Sequence, residues 1–147
     1  MSEISTRRAI APDFEAVAAL LAELGRPPVT SKNRRQLQAT YVRHIERHDT
    51  ASLVAELSGK VVGFCSLERR DRLNRPDPQA WIPDLVVTEA ARGRGVGTAL
   101  LQAALLEAKA WGCRTVHLEC GVEREDAHQF LVARGMQDAG KSYSLVL

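Results

Sequence analysis

W-I-P-D-L-V-V-T-E-A-A-R-G-R-G-V-G-T-A-L-L, Trp81 to Leu101, is the stretch from which the rest of the chain is read. An apolar run rich in β-branched residues ends at Thr88. A short polar turn follows, then glycines alternate with arginines, and Val96, Ala99, Leu100, Ala103 and Ala104 recur at helical spacing. The stretch reads as strand, turn, helix. Gly93, Gly95 and Gly97 permit positive φ and a close backbone approach to a ligand, and the helix leaves its first amides without intrahelical acceptors. With the positive end of the helix dipole and Arg92 and Arg94 beside them, those amides make an anion site suited to phosphate.

Spacing separates the phosphate motifs. A dinucleotide fingerprint, G-x-G-x-x-G, fails because Thr98 stands at the third glycine position counted from Gly93, and Leu100 stands there counted from Gly95. A nucleoside-triphosphate loop fails because this stretch has no Gly-Lys pair. What stands is R-x-x-G-x-G at Arg92, Gly95 and Gly97, between an L-V-V strand end and a long amphipathic helix. A glycine-rich turn capping an ordinary helix is the plain alternative. The pattern resembles the acyl-coenzyme A pyrophosphate loop of the GCN5-related N-acetyltransferases, the GNAT family.

Composition sets the outer limits. At 147 residues, with 45% hydrophobic and 26% charged residues, the chain is expected to form one domain over residues 1–147, burying roughly 70% of its unfolded surface. A formal charge of +2 is too small for wholesale binding to nucleic acid or an anionic membrane. Glu3, Arg7, Arg8 and Asp13 interrupt any leader-like start, and no apolar run reaches membrane-spanning length. The expectation is a soluble, cytoplasmic protein. Cys65, Cys113 and Cys120 are odd in number and lack C-x-x-C spacing, so they read as reduced core thiols with no disulfide or metal framework.

Ile4 to Ile10 has a short strand pattern, and Asp13 is placed to cap a helix carrying Phe14, Val17, Ala18, Leu21 and Leu24, ended by Gly25. A second helical pattern, Leu37, Tyr41, His44, Ile45 and His48, follows a Thr30 or Ser31 cap. Its other faces carry Lys32, Arg34, Arg35, Arg43 and Arg47, a solvated face on the plain reading and a nucleic-acid or anion surface on the functional one. Ser52–Leu57 and Val61–Leu67 form a hairpin across Ser58, Gly59 and Lys60. The helix after the glycine motif runs to about Trp111. A strand at Thr115–Cys120, a helix at Asp126–Arg134 and a last strand at Ser142–Leu147 complete the order.

That order is the one the GNAT family uses. The fold it implies is α/β, a mixed, mostly antiparallel central sheet of six to seven strands with about four helices. The family's second landmark, A-x-x-F-Y followed by Gly-Phe, is matched by Ala127, Phe130, Leu131, Gly135 and Met136. The run Arg124 to Phe130, with Lys141, Ser142 and Tyr143, looks most like small-amine acetyltransferases of the aminoalkylphosphonate type. Two positions depart from the pattern: Leu131 replaces the tyrosine that protonates the departing thiolate in many members, and Arg124 replaces an asparagine frequent in protein-modifying ones.

Acetyl transfer from a thioester to an amine needs a neutral amine, an oxyanion stabiliser and a proton for the thiolate. A lysine-like amine, with pKa about 10.4, is mostly protonated at pH 7, so a base or a water relay helps. Asp84, a carboxylate within an apolar strand and expected to share a face with Ile82 and Val86, is the first candidate; Glu119 is the second. His117, two residues from Glu119, and His128 are more readily structural, and Trp81, Trp111 and Tyr41 read as packing groups. The resemblance implies acetyl-CoA as cosubstrate. Pantetheine would lie on Leu85, Val86 and Val87, pyrophosphate on Arg92, Gly93, Arg94, Gly95, Val96, Gly97 and Thr98, and Phe130 would line the cofactor site. The partners expected are acetyl-CoA and a small primary amine, with no metal, nucleic acid or membrane; a homodimer is compatible. Acetylation of protein N-termini or lysines, and a non-catalytic acyl-CoA-binding module, are the alternatives.

Overall fold

A computed structural model describes residues 3–120 and 124–147. In chain order the elements are β1 (Ile4–Arg8), α1 (Phe14–Glu23), α2 (Arg34–Glu46), β2 (Thr50–Leu57), β3 (Lys60–Arg70), β4 (Gln79–Ile82), β5 (Leu85–Val87), α3 (Val96–Ala110), β6 (Val116–Leu118) and α4 (Glu125–Ala133). Single 3-10 turns occupy Ala11–Asp13 and Glu89–Ala91. The architecture is mixed α/β, one six-stranded sheet with four helices, as the sequence reading expected. The residues group into two units, Met1–His117 and Leu118–Leu147.

The β2–β3 hairpin is the spine of the sheet. Ser58 and Gly59 both take positive φ, 53° and 77°, which suits a two-residue turn matching the right-handed twist of its strands. β1 pairs with one side of β2, and β3 carries β4 and β5 in succession on its far edge, all antiparallel. β6 follows β4 in the sheet, where Ala80 N–H donates to Thr115 O at 3.0 Å.

Each face of the sheet is covered by different helices. Val54, Phe64 and Val86 pack with Val17 and Leu20 of α1, and with Tyr41 and Ile45 of α2. The opposite face receives α3 at Gly63, where a Cβ would lie 2.8 Å from Leu100 Cδ1, 3.0 Å from Val96 Cγ1 and 3.3 Å from Val86 O. Gly63 therefore lets the first turns of α3 settle directly over β3, beside Val87, its partner on β5.

Several expectations are corrected. The single strand expected through Trp81–Val87 is broken at Pro83 and Asp84. Proline lacks the ladder donor, and between the Glu68–Trp81 and Cys65–Leu85 pairs the partner strand takes four steps to three on β3. The extra residue separates Ile82 from Asp84: Trp81 pairs with Glu68, so Ile82 turns to the α3 face, whereas Asp84 bonds Ser66 on the α1/α2 face. Asp13 does sit at the start of α1, but its carboxylate turns back to accept from Ile10 N–H and Arg7, not from the helix. α2 begins after Asn33, whose Oδ1 accepts from Thr30 N–H, so neither Thr30 nor Ser31 is its cap. The strand expected at Thr115–Cys120 is shorter, Val116–Leu118. Ser142–Leu147 is exposed and forms no strand: alternation gives propensity, but a strand also needs a ladder partner. Among the described residues no helix is long and apolar enough to cross a membrane, and Cys65, Cys113 and Cys120 are unbridged.

Two stability tests follow from this packing. Gly63→Ala overpacks the α3 contact and is expected to destabilise by about 1–3 kcal/mol in urea unfolding; an unchanged midpoint would show that α3 does not rest on Gly63. Hydrogen bonding to Arg7 holds the Asp13 carboxyl below its ordinary range, against the opposing effect of burial. Its stabilisation is complete above the unfolded pKa of about 3.9 and disappears as pH falls through the lower native value. Asp13→Asn should therefore lower the unfolding midpoint near pH 7 and lessen its loss on acidification toward pH 2; an acid limb as steep as wild type would contradict this.

Candidate active site

The break at Pro83–Asp84 leaves β5 with one paired edge and one open edge. Ser66 N–H donates to Asp84 O at 2.9 Å and Thr88 N–H to Val62 O at 2.8 Å. In an antiparallel ladder these inward-pointing residues alternate with outward-pointing ones, so the backbone groups of Leu85 and Val87 face away from β3. Val87 O accepts from Arg92 Nε at 3.1 Å, which draws that guanidinium over the end of the strand. Val86 is buried in the core between Leu85 and Val87.

The turn after β5 is a 3-10 turn, an exposed Arg92–Gly95 loop and the start of α3. Gly93 and Gly95 adopt φ of 78° and 88°, and a Cβ on Gly93 would meet nothing within 4 Å. The first intrahelical bond is Ala99 N–H to Gly95 O, 3.0 Å, so the amides of Val96 and Gly97 precede it and mark the positive end of the helix. Thr98 lies in the same first turn, with Arg94 exposed beside it.

The end of α1 braces both ends of β5. Glu23 accepts from Thr88 Oγ1 at 2.8 Å and from Glu89 N–H at 3.1 Å. Three residues on, Arg26 donates to Asp84 Oδ1 at 2.9 Å and to Pro83 O at 3.3 Å. The second Asp84 oxygen accepts from Ser66 Oγ at 3.1 Å, and that hydroxyl also accepts from Asp84 N–H. Asp84 is thus a fixed, largely buried carboxylate, its side chain 18% exposed, at the head of the open strand.

Around Asp84 the α1/α2 face of the sheet changes from apolar to polar. Cross-strand partners share a face, so Ser52 and Ser66 form one row with Asp84, and Thr50, Glu68 and Trp81 form the next. Trp81 stacks on His117 with centroids 5.7 Å apart and carries Arg70 on its ring at 4.4 Å, while Arg70 also pairs with Glu68. Behind Asp84, burial pushes the Cys65 thiol up to about 12, so it stays an uncharged core group. Two open hollows, about 380 Å³ between β1, β2 and α3 and about 520 Å³ against α2, have no β5 residue in their walls.

The second unit holds the remaining candidates. Glu119 is exposed just past β6. Phe130 and Leu131 are half-buried on α4, with the Arg134 guanidinium 3.8 Å from the Phe130 ring centroid. Ser142 and Tyr143 are exposed, and His128 is half-buried on α4. Sequence reasoning overlooked Glu23, Arg26, Ser66 and Gly63. Glu23 and Arg26 belong to no motif, and only the hydrogen-bonded geometry shows what they hold. On the basic face of α2, Arg34 pairs with Glu15, and Arg47, just past the helix end, pairs with Asp49. Among the described residues no cluster of three metal-ligating side chains is present.

Comparison with known proteins agrees with the fold. The model of the Acetyltransferase (GNAT) family matches residues 14–136. Aminoalkylphosphonate N-acetyltransferase of Salmonella typhimurium is 29% identical over 136 residues, covering 90% of this chain and 84% of the relative. Among solved structures, a transcriptional regulator from Bacillus halodurans superposes with a TM-score of 0.91 at 21% identity, over 99% of this chain and 100% of that one. An aminoglycoside N-acetyltransferase in complex with CoA superposes with a TM-score of 0.84 at 20% identity, over 100% and 96%. These last two likenesses speak to fold alone. Since the family model spans most of its length, the chain belongs to the acetyltransferase (GNAT) family and is an acetyl-CoA-dependent N-acetyltransferase.

Proposed function

We propose that this enzyme acetylates the primary amine of a small molecule by direct attack on the thioester, in one cytoplasmic domain spanning residues 1–147. The observation that carries the reading is the open edge of β5, lying between a fixed carboxylate at Asp84 and the glycine-rich start of α3. The residues fit CoA: an amide-bearing pantetheine arm can pair with the outward backbone groups of Leu85 and Val87, and a diphosphate suits the amides and arginines of Arg92 to Thr98. Bound acetyl-CoA would supply the activated acetyl group. Leu85 and Val87 orient the thioester along the edge, with Phe130 of α4 assigned to the cofactor by its place in the family motif. Asp84 draws in the ammonium and promotes loss of its proton, directly or through water, with Glu119 as the competing candidate.

Leu131 does not remove activity on this reading. A CoA thiol has a pKa near that of cysteine, about 8.5, so its thiolate leaves tolerably well without a dedicated acid. Arg124 and Leu131 favour a small amine over a protein substrate, and the similarity to an aminoalkylphosphonate acetyltransferase points the same way. The direct test is free-thiol release from acetyl-CoA with aminomethylphosphonate, 2-aminoethylphosphonate, an aminoglycoside, and peptides with free N-termini or lysines. Turnover of a small amine is expected. Turnover of peptides alone would overturn the reading, and tight acetyl-CoA binding without turnover would identify a binding module.

Two substitution experiments divide the site. Gly95→Val forces a β-branched residue into φ near 88° and should abolish CoA binding by calorimetry, whereas Arg94→Ala should weaken it modestly and in a salt-dependent way. Equal tolerance of both would remove the phosphate loop from the argument. Asp84→Asn should lower kcat/KM for the amine by roughly 10²- to 10⁴-fold, the usual worth of a general base, while leaving CoA affinity within a factor of about three. If Glu119→Gln does this instead, Asp84 is structural.

A further inference from the structure

Three buried side-chain nitrogen or oxygen atoms lack a hydrogen-bond partner among the described residues: His44 Nε2, Ser52 Oγ and His117 Nε2. Ser52 and His117 belong to the sheet, and His44 to α2, the helix that packs on it. Ser52 stands opposite Ser66, the residue bonded to Asp84, and His117 stacks on Trp81 in the adjoining row. His44 lies one turn beyond Tyr41 and beside Ile45, both packed on the α1/α2 face. Its carbonyl accepts from Thr50 Oγ1 at the head of the same face, by a short hydrogen bond of 2.5 Å. Ser52 is only 4% exposed, and an unmet buried hydroxyl costs stability unless a ligand or water satisfies it.

Asp84 promotes loss of the proton without having to be the group that finally carries it away. Arg26 and Ser66 each donate to one of its oxygens. An unperturbed imidazole is a stronger base than an unperturbed carboxylate. His44 also lines the solvent-open hollow with Thr40, Arg43, Glu46 and Arg47. The residue thus has one buried ring nitrogen and a place in the wall of a solvent-open hollow.

Resting on the small-amine reading above, we propose that His44 is the group that takes the acceptor's ammonium proton, through Ser52 or water, and releases it to solvent. Asp84 and Glu68 hold the positive charge of the incoming amine while the proton leaves. The freed nitrogen lone pair forms the C–N bond, the C–S bond breaks, and sulfur keeps its electron pair. Nitrogen loses a second proton as the amide forms, and sulfur takes up one, so each turnover sends one net proton out through His44. Burial lowers the His44 pKa below the imidazole value of 6.5. Glu68 on β3, Asp84 at the strand break and Asp49 before β2 act in the opposite direction, and Arg47 of α2 acts with burial. The ring is accordingly neutral at pH 7 and ready to accept.

The test is the pH dependence of kcat/KM between pH 5 and 9, with acetyl-CoA and the amine turned over fastest in the panel. Wild type should lose activity on acidification along a limb lying below pH 6.5. His44→Gln should remove that limb and lower kcat/KM at pH 8 tenfold or more, with CoA affinity within twofold. Imidazole added to His44→Ala should restore turnover. His117→Gln should keep the limb. Independently of turnover, the His44 ring nitrogens in the wild-type protein should titrate below 6.5 by NMR and shift when the amine binds. A limb retained in His44→Gln, a limb lost in His117→Gln, or a His44 ring that stays protonated at pH 7 overturns the proposal. Wild-type turnover with any of those results overturns the role of His44 alone; a wild type inactive on every small amine overturns the substrate reading and this role with it.

Discussion

One extra residue in the strand opposite β3 governs this site. Between its pairings with Glu68 and Cys65, the partner chain must fit Pro83 and Asp84 into a step too many. A proline that cannot donate and a carboxylate that prefers side-chain partners make this the cheapest place for the ladder to fail. The consequence reaches both neighbours. β4 keeps its place beside β6, while β5 pairs with β3 alone among the described residues, so its other edge is open to an extended ligand. The same bulge leaves Asp84 on the face it shares with Ser66 and turns Ile82 to the other.

An open edge is a liability unless it is rigid, and three separate contacts supply the rigidity. Glu23 and Arg26 reach from the end of α1 to the two ends of β5. Arg92 ties the loop back to Val87 O. Gly63 brings α3 down onto β3, so the positive end of that helix falls next to the end of β5. Exposed ion pairs contribute little to stability on their own. The Arg26–Asp84 pair matters chiefly for position, because it fixes the carboxylate and the chain direction on either side of it.

The strand, glycine loop and helix were readable because each carries a local signal: β-branched residues, glycines needing positive φ, and a 3.6-residue period. The helix stop at Gly112, with φ of 83°, and the Ser58–Gly59 turn were readable for the same reason. What failed was decided between segments. Alternation through Trp81–Val87 holds only if no residue is inserted, and the bulge turns Ile82 to the other face while Asp84 keeps the face of Val86. Asp13 has the identity of a helix cap, yet Arg7, from the neighbouring strand, captures its carboxylate. The last six residues have strand composition without a ladder partner. Arg26 had no motif at all, and its relation to Asp84 exists only once α1 has packed on the sheet.

The sheet face that α1 and α2 cover is built for two purposes that compete. Val54, Phe64 and Val86 bury apolar surface under the helices and stabilise the fold. One register step away, Ser52, Ser66 and Asp84 replace them with hydroxyls and a carboxylate, and the next step brings Thr50, Glu68 and Trp81. Apolar residues in those positions would pack more simply, and the unmet Ser52 hydroxyl and two histidine nitrogens carry a desolvation cost. A polar face at the broken end of the ladder nevertheless places hydroxyls and a carboxylate beside the open strand. The order of the rows therefore follows the chemistry: the core holds β5 from behind, and the polar rows begin where the strand break exposes backbone to a ligand.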